Sequence, residues 1–152
     1  MGKARSGQIP QDIRKDEVMK IDKETIFSKE APKGRGPFPQ AVRFGNQIFV
    51  SGQGPLDPVR NEPDTGSFEH EVRLTIQNLQ RIVKAANSDL SDALKLTVYL
   101  SDIENVPKFN KIYSQYFREP LPARTLVQAG LRGIQVEIDG IFACRNDSEG
   151  PL

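Results

Sequence analysis

The chain has 152 residues, 27% of them charged, and a formal net charge of +1. This length predicts a single domain with a buried core. The near-neutral charge disfavours a dedicated nucleic-acid-binding protein, which usually carries a basic surplus. The only cysteine, Cys144, cannot form an intrachain disulfide, and together with the only histidine, His70, it disfavours a structural zinc site. No apolar run reaches the length needed to cross a bilayer.

The N-terminal stretch is polar and lacks sustained hydrophobic periodicity, which predicts a flexible arm over residues 1–22. Its start, Met1 to Ser6, fits the short N-myristoylation pattern that would place a lipid on Gly2, although this pattern also arises by chance. No apolar leader segment is visible, which favours a cytoplasmic location. The folded domain is expected over residues 23–145, followed by a flexible tail over residues 146–152.

The spacing of apolar residues predicts the element order β-β-β-α-β-α-β-β. Gly45 and Asn46 separate two short alternating segments and are typical of a two-residue hairpin turn. A helix is predicted over residues 68–86, with Ser67 as its N-cap and Asn87 in a left-handed conformation at its C-terminal end. The other predicted elements are strands near residues 25–27, 41–44, 47–51, 93–100, 123–129 and 134–143 and a second helix that begins after Asn105.

This order predicts an α+β domain with a six-stranded, mainly antiparallel sheet and two helices on one face. The opposite face should carry a mixed set of residues, namely Thr97, Arg124, Leu126, Gln128, Glu137, Asp139 and Ile141. A single chain would leave this half-apolar face in water. We therefore expect further copies of the chain to cover it.

Two charged residues on neighbouring predicted strands suggest a chemical site. Arg124 can bind a carboxylate through two parallel hydrogen bonds. Glu137 can orient or deprotonate a water molecule. If the two side chains share one face, they form a pocket in which water attacks a small carboxylate-bearing molecule.

Several motifs in order resemble the RidA family, also called YjgF, over most of the chain. The residues that carry the resemblance are Gly36–Val42, Phe49–Pro58, Lys95–Leu100, Asn110–Tyr113, Pro122–Arg124 and Val136–Asp139. The resemblance implies a chorismate-mutase-like α+β domain assembled as a homotrimer, with active sites between subunits. It also implies a deaminase of the 2-iminobutyrate and 2-iminopropanoate type. Such an enzyme hydrolyses reactive enamine and imine intermediates to 2-keto acids and ammonia, without a metal or organic cofactor.

Carried over by position, the resemblance assigns Arg124 to the substrate carboxylate and Glu137 to the attacking water. Ser51, Asn110 and the backbone of Leu126 occupy matching substrate-binding positions. A further binding residue departs from the family, because Phe38 stands where a tyrosine is usual and lacks its hydroxyl.

Alternative interpretations of these residues stay open. Arg124 could instead form a structural ion pair with Asp139 or Glu137 across a subunit interface. Ser51 could be only a turn residue that bonds its own backbone. A larger dicarboxylate could replace the aliphatic imine if Arg132 supplied a second anion contact.

Two alternative functions are an RNA-associated translation inhibitor or endoribonuclease-like protein, and a trimer that binds carboxylates without turnover. The near-neutral charge favours the deaminase and makes a nucleic-acid partner unlikely on these grounds.

Overall fold

The computed structural model describes residues 20–145. The tail, the lipidation pattern and all but the last three residues of the expected arm lie outside the described residues. The predicted element order is confirmed. Its main elements are β1 (Lys23–Ile26), β2 (Ala41–Phe44), β3 (Gln47–Gln53), α1 (Phe68–Lys84), β4 (Ala93–Leu100), α2 (Val106–Tyr116), β5 (Ala123–Gln128) and β6 (Val136–Ala143).

The six strands form one open sheet in the order β1-β2-β3-β6-β4-β5. Every neighbouring pair is antiparallel except β4 and β5, which run parallel. Helix α1 packs against β3, β6 and α2. The six-stranded, mainly antiparallel α+β fold expected from the sequence is therefore confirmed.

Local sequence signals account for the ends of these elements. Gly45, with φ of 60°, and Asn46 join β2 to β3 as the predicted two-residue turn. The Oγ of Ser67 accepts a hydrogen bond of 3.1 Å from the backbone N–H of His70 and caps α1. The helix ends at Lys84, two residues before the predicted end at 86, and Asn87 has the expected positive φ of 56°.

The core lies between the helices and one sheet face. The predicted apolar stripe of α1 is fully buried, as are the alternating β4 residues Leu96, Val98 and Leu100. Cys144 is buried just beyond β6, where its Sγ lies 3.1 Å from the carbonyl oxygen of Ala86. The thiol is therefore part of the packed core.

Strand register corrects the predicted assignment of residues to faces. In the parallel β4–β5 pair, Arg124 lies level with Leu96 and Leu126 lies level with Val98. Residues level with each other in a sheet point to the same side, so Arg124, Leu126 and Gln128 lie on the helix-covered face. Their predicted place on the opposite face was wrong. Thr97, Glu137, Asp139 and Ile141 do lie on that opposite face, which we call the outer face.

The outer face carries exposed apolar side chains at several strands. Phe44 is 53% exposed, and Phe49 and Val127 are each 41% exposed. Nothing in residues 20–145 covers them, and large exposed apolar patches mark contact surfaces. Assembly into a homotrimer stays a prediction.

Within residues 20–145, no helix is both long and apolar enough to cross a membrane. The same residues contain no group of three or more histidine, cysteine, aspartate or glutamate side chains that could hold a metal ion.

A buried amide anchors the loop between β1 and β2. The Nε2 of Gln40 donates hydrogen bonds to the carbonyl oxygens of Ser28, at 3.0 Å, and Pro32, at 2.8 Å. Its Oε1 accepts a hydrogen bond of 2.6 Å from the backbone N–H of Ser28. One side chain thus satisfies backbone groups on both sides of a tight bend.

We expect Gln40→Met to lower the free energy of unfolding by about 1–3 kcal/mol, because methionine fills similar space but leaves the buried backbone groups unpaired. Urea unfolding at one fixed chain concentration measures the change. The matched control is Gln47→Met on an exposed position of β3, for which we expect less than about 0.5 kcal/mol. Equal effects of the two substitutions would contradict the anchoring role.

Candidate active site

The Arg124 guanidinium rests on an aromatic platform formed by α2. Its central carbon lies 4.8 Å from the ring centre of Tyr113 and 5.5 Å from that of Phe109. Phe117 stacks on Tyr113, with ring centres 4.5 Å apart. Residues four apart lie on one helix face, so this spacing builds a continuous surface on which a planar cation can lie.

A hydrogen bond fixes the rotation of the guanidinium. Arg124 Nη2 donates to Asn110 Oδ1 at 2.8 Å. No carboxylate within residues 20–145 forms an ion pair with Arg124, and the alternative of an ion pair across a subunit interface stays a prediction. The cation faces a surface groove of about 290 Å³ whose walls include Leu121 and Pro122. An oriented, unpaired guanidinium in a groove is suited to binding an anion.

Glu137 lies in a different cavity, of about 190 Å³, between β6 and the β1–β2 loop. The ring of Phe38 forms part of its wall. The register of β3 against β6 shifts between Val50 and Gln53, which brings Gly52 beneath the glutamate. A Cβ on Gly52 would overlap Glu137 Oε1, so only glycine leaves the carboxyl group this space.

The chemistry of the Glu137 carboxyl group is set by its surroundings. Burial raises its pKa above the ordinary value of 4.5, and the negative charge of Asp139 raises it further. Asp139 itself accepts a hydrogen bond of 3.0 Å from the Tyr99 hydroxyl. A carboxyl group whose pKa moves toward neutrality can both accept and return a proton.

One chain does not bring Arg124 and Glu137 together. Strand β4 lies between β5 and β6, so the expectation of neighbouring strands was wrong. Arg124 lies level with Leu96 on the helix-covered face, whereas Glu137 lies level with Tyr99 on the outer face. The two groups therefore occupy separate cavities on opposite faces.

The other predicted site residues divide between these places. Phe38 accompanies Glu137 and Asn110 accompanies Arg124. Ser51 lies in β3 and donates a hydrogen bond of 2.7 Å to the carbonyl oxygen of Pro39, twelve residues away, so the alternative of a turn residue that bonds its own backbone was wrong. Leu126 is partly buried against the core.

Three features of the two cavities were missed from the sequence. No sequence pattern indicated that Tyr113 and Phe109 support Arg124. Lys33 and Arg35 line the Glu137 cavity, and the sequence marks their segment only as a turn-rich loop. Gly52 was noted in a motif, but its contact with Glu137 depends on a strand irregularity that no local pattern signals.

Fold and site together define a small α+β protein that offers an unpaired guanidinium and a separate carboxyl group to a small ligand. The family profile described as Endoribonuclease L-PSP matches residues 28–144. The chain therefore belongs to this family, which is also called RidA or YjgF.

Relatives and solved structures support this membership. A RutC family protein from Pyrococcus abyssi is 40% identical over 78% of this chain and 95% of its own. The mouse protein named 2-iminobutanoate/2-iminopropanoate deaminase is 37% identical over 80% of this chain and 91% of its own. A crystal structure of E. coli TdcF with bound serine superposes with a TM-score of 0.74 at 31% identity, covering 80% of this chain and 99% of TdcF.

We expect Glu137→Gln to stabilise the protein at neutral pH and to leave stability at pH 4 nearly unchanged. Because the pKa of Glu137 is raised by folding, the folded chain holds more protons than the unfolded chain between the ordinary and the raised pKa. The free energy of unfolding therefore falls as pH rises through that window, and glutamine removes this loss.

The urea unfolding midpoints of Glu137→Gln and of the original protein, taken at about pH 4 and about pH 7.5, measure this change in stability. The exposed Glu62→Gln is the matched control. A Glu137→Gln variant that is less stable than the original protein at neutral pH would show that the carboxylate is favourably paired.

Proposed function

We propose that the protein hydrolyses reactive 2-imino acids, of the 2-iminobutyrate and 2-iminopropanoate type, to 2-keto acids and ammonia. The observation that carries this proposal is the Arg124 guanidinium, which Asn110 and the aromatic platform orient while no carboxylate of residues 20–145 pairs with it. Relatives that carry the deaminase name, from mouse and human, are 37% and 34% identical to this chain. The location we propose is the cytoplasm.

The proposed active site forms between two copies of the chain in a homotrimer. Arg124 and Glu137 lie on opposite faces of one sheet, so one copy cannot supply both groups to one ligand. The exposed apolar residues of the outer face, Phe49 among them, give the copies a surface on which to associate. In this arrangement Arg124 of one copy faces the Glu137 cavity of the next.

Binding uses the carboxylate that all 2-imino acids share. The guanidinium fork of Arg124 accepts this group through two charge-assisted hydrogen bonds. Because Asn110 already fixes the guanidinium, little side-chain freedom is lost when the ligand binds. The electrophilic C2 atom, bonded to the carboxylate, is thereby directed toward Glu137.

Hydrolysis then requires one water and one proton carrier. Glu137 accepts a proton as the water oxygen bonds to C2 of the protonated imine. It returns this proton to the nitrogen, the C–N bond breaks, and the hydroxyl proton leaves with ammonia as ammonium. The raised pKa of Glu137 suits both transfers. The protonated imine is already electrophilic, so positioning supplies much of the rate gain.

Phe38 changes the environment of this step without taking part in proton transfer. It contributes an apolar wall to the Glu137 cavity, and apolar surroundings favour the neutral carboxylic acid. A tyrosine here would add a hydroxyl group that could bond water or substrate. Because phenylalanine has no hydroxyl group, Glu137 is the proton carrier on this side of the cavity.

We expect Arg124→Ala to lower kcat/KM for 2-iminobutyrate by roughly 100-fold, because a charge-assisted contact to a ligand is worth about 1.5–3 kcal/mol. The imine is generated by threonine dehydratase, and 2-ketobutyrate release is followed with and without the protein. The matched control is Arg118→Ala, at an exposed position just after α2, with size-exclusion chromatography to check assembly. An unchanged rate for Arg124→Ala would overturn the site assignment.

The same preparations separate the deaminase from the RNA interpretation. RNA cleavage that copurifies with the protein and persists in Arg124→Ala, without any imine hydrolysis by the original protein, would favour an endoribonuclease. Tight binding of 2-ketobutyrate without turnover would favour a carboxylate-binding protein.

A shared site predicts that two inactive variants restore activity when they assemble together. Arg124→Ala retains Glu137, and Glu137→Gln retains Arg124. If the two variants are mixed equally and refolded, about one quarter of the sites should combine both original groups by random assortment around a ring. We therefore expect about a quarter of the original activity.

Two measurements complete this test. Each variant refolded alone supplies the baseline, and mixing the folded variants without refolding controls for slow subunit exchange. Recovery no greater than the sum of the two baselines would place Arg124 and Glu137 in separate functions.

A further inference from the structure

We propose that Lys33 and Arg35 form a second anion-binding position in the Glu137 cavity, which extends the substrate class to 2-imino dicarboxylates such as 2-iminosuccinate. This inference rests on the proposed function and concerns the far end of the same substrate. It assigns the choice between substrates to the β1–β2 loop rather than to Arg124 and Glu137.

Both cations line the same cavity as Glu137. Lys33 and Arg35 lie on the loop between β1 and β2, one residue on each side of Gly34. Arg132, the residue that the sequence suggested for a second anion contact, does not line this cavity. The position for a distal carboxylate therefore belongs to the β1–β2 loop.

Neither cation has a carboxylate partner, within the part of the chain that the structure describes, that would compete with a ligand. Within residues 20–145, no carboxylate forms an ion pair with Lys33 or Arg35. Glu137 is the only acidic residue among those that line the cavity. Among the described residues, two positive charges without a carboxylate partner therefore line a cavity that holds a single carboxyl group.

The loop that carries these cations is held in place. Gln40 ties its start to β2 through hydrogen bonds to the carbonyl oxygens of Ser28 and Pro32. The Phe38 ring lies against the backbone of Gly34 and Gly36. A Cβ on Gly34 would lie 3.1 Å from the ring, and a Cβ on Gly36 would lie 2.7 Å from it. The side chains of Lys33 and Arg35 therefore project from a fixed backbone.

The size of the cavity suits a short dicarboxylate. Its volume of about 190 Å³ is small, below the range of roughly 300–1,000 Å³ typical of drug-sized ligand sites. With the carboxylate next to C2 bound by Arg124, a ligand with one or two methylene groups places its second carboxylate toward the loop. Lys33 and Arg35 are exposed at the rim, so they can bind it without a large desolvation cost.

The test compares two imines on one set of proteins. Threonine dehydratase generates 2-iminobutyrate and an aspartate oxidase generates 2-iminosuccinate, and release of 2-keto acid is followed for each. We expect the ratio of kcat/KM for 2-iminosuccinate over 2-iminobutyrate to fall about tenfold in the double variant Lys33→Ala/Arg35→Ala, since one charge-assisted contact is lost. Arg132→Ala, also an exposed loop arginine, should change the ratio less than twofold.

The outcomes separate this inference from the proposed function. If the original protein hydrolyses 2-iminobutyrate but the double variant keeps its ratio, the second anion position is wrong and the deaminase stands. A fall of the ratio in Arg132→Ala alone would also overturn it.

If the original protein hydrolyses neither imine, the proposed function fails, and calorimetric binding of oxaloacetate and 2-ketobutyrate decides the anion position. Oxaloacetate binding that weakens about tenfold in the double variant, with 2-ketobutyrate unaffected, would support it. Equal oxaloacetate affinities would overturn it.

Discussion

The parallel pairing of β4 with β5 determines where the two charged groups can act. It sets Arg124 level with Leu96, on the face that the helices cover, while the antiparallel β6 sets Glu137 level with Tyr99 on the outer face. Side chains on opposite faces of a sheet point away from each other, so the fold of one chain holds these groups apart. In the function we propose, a second copy of the chain supplies the missing group, and the exposed apolar outer face is the surface proposed for its association.

The platform beneath Arg124 explains how a cation can stay unpaired and still be ordered. A guanidinium is planar and weakly hydrated, so it can lie on aromatic faces that would not hold an ammonium group as well. Burial raises the pKa of Tyr113 while the nearby Arg124 charge lowers it, and the net effect is a rise that keeps the phenol neutral. The ring thus supports the cation without neutralising it, and the charge remains available to a ligand.

The helices and strands could be predicted from the sequence because their signals are local, whereas the arrangement of the site could not, because it depends on contacts between distant residues. The Gly45-Asn46 turn, the Ser67 cap and the stripe of α1 act between residues close in the chain, so their patterns are visible locally. The face occupied by Arg124 depends on pairing with a strand more than twenty residues away. On β5, arginine, leucine and glutamine occupy one face and threonine and valine the other, and this weak contrast does not indicate which face the helices cover.

The Glu137 cavity shows the same limit of local sequence patterns. The alternation of apolar and polar residues predicts that Glu137 lies on a strand. The conformation of the β1–β2 loop beside that strand depends instead on the buried Gln40 amide and on the glycines that leave room for the Phe38 ring. The same loop supplies the apolar Phe38 wall and the cations Lys33 and Arg35. In the arrangement we propose, one anchored backbone therefore sets both the surroundings of the proton carrier Glu137 and the charge that meets the distal end of the substrate.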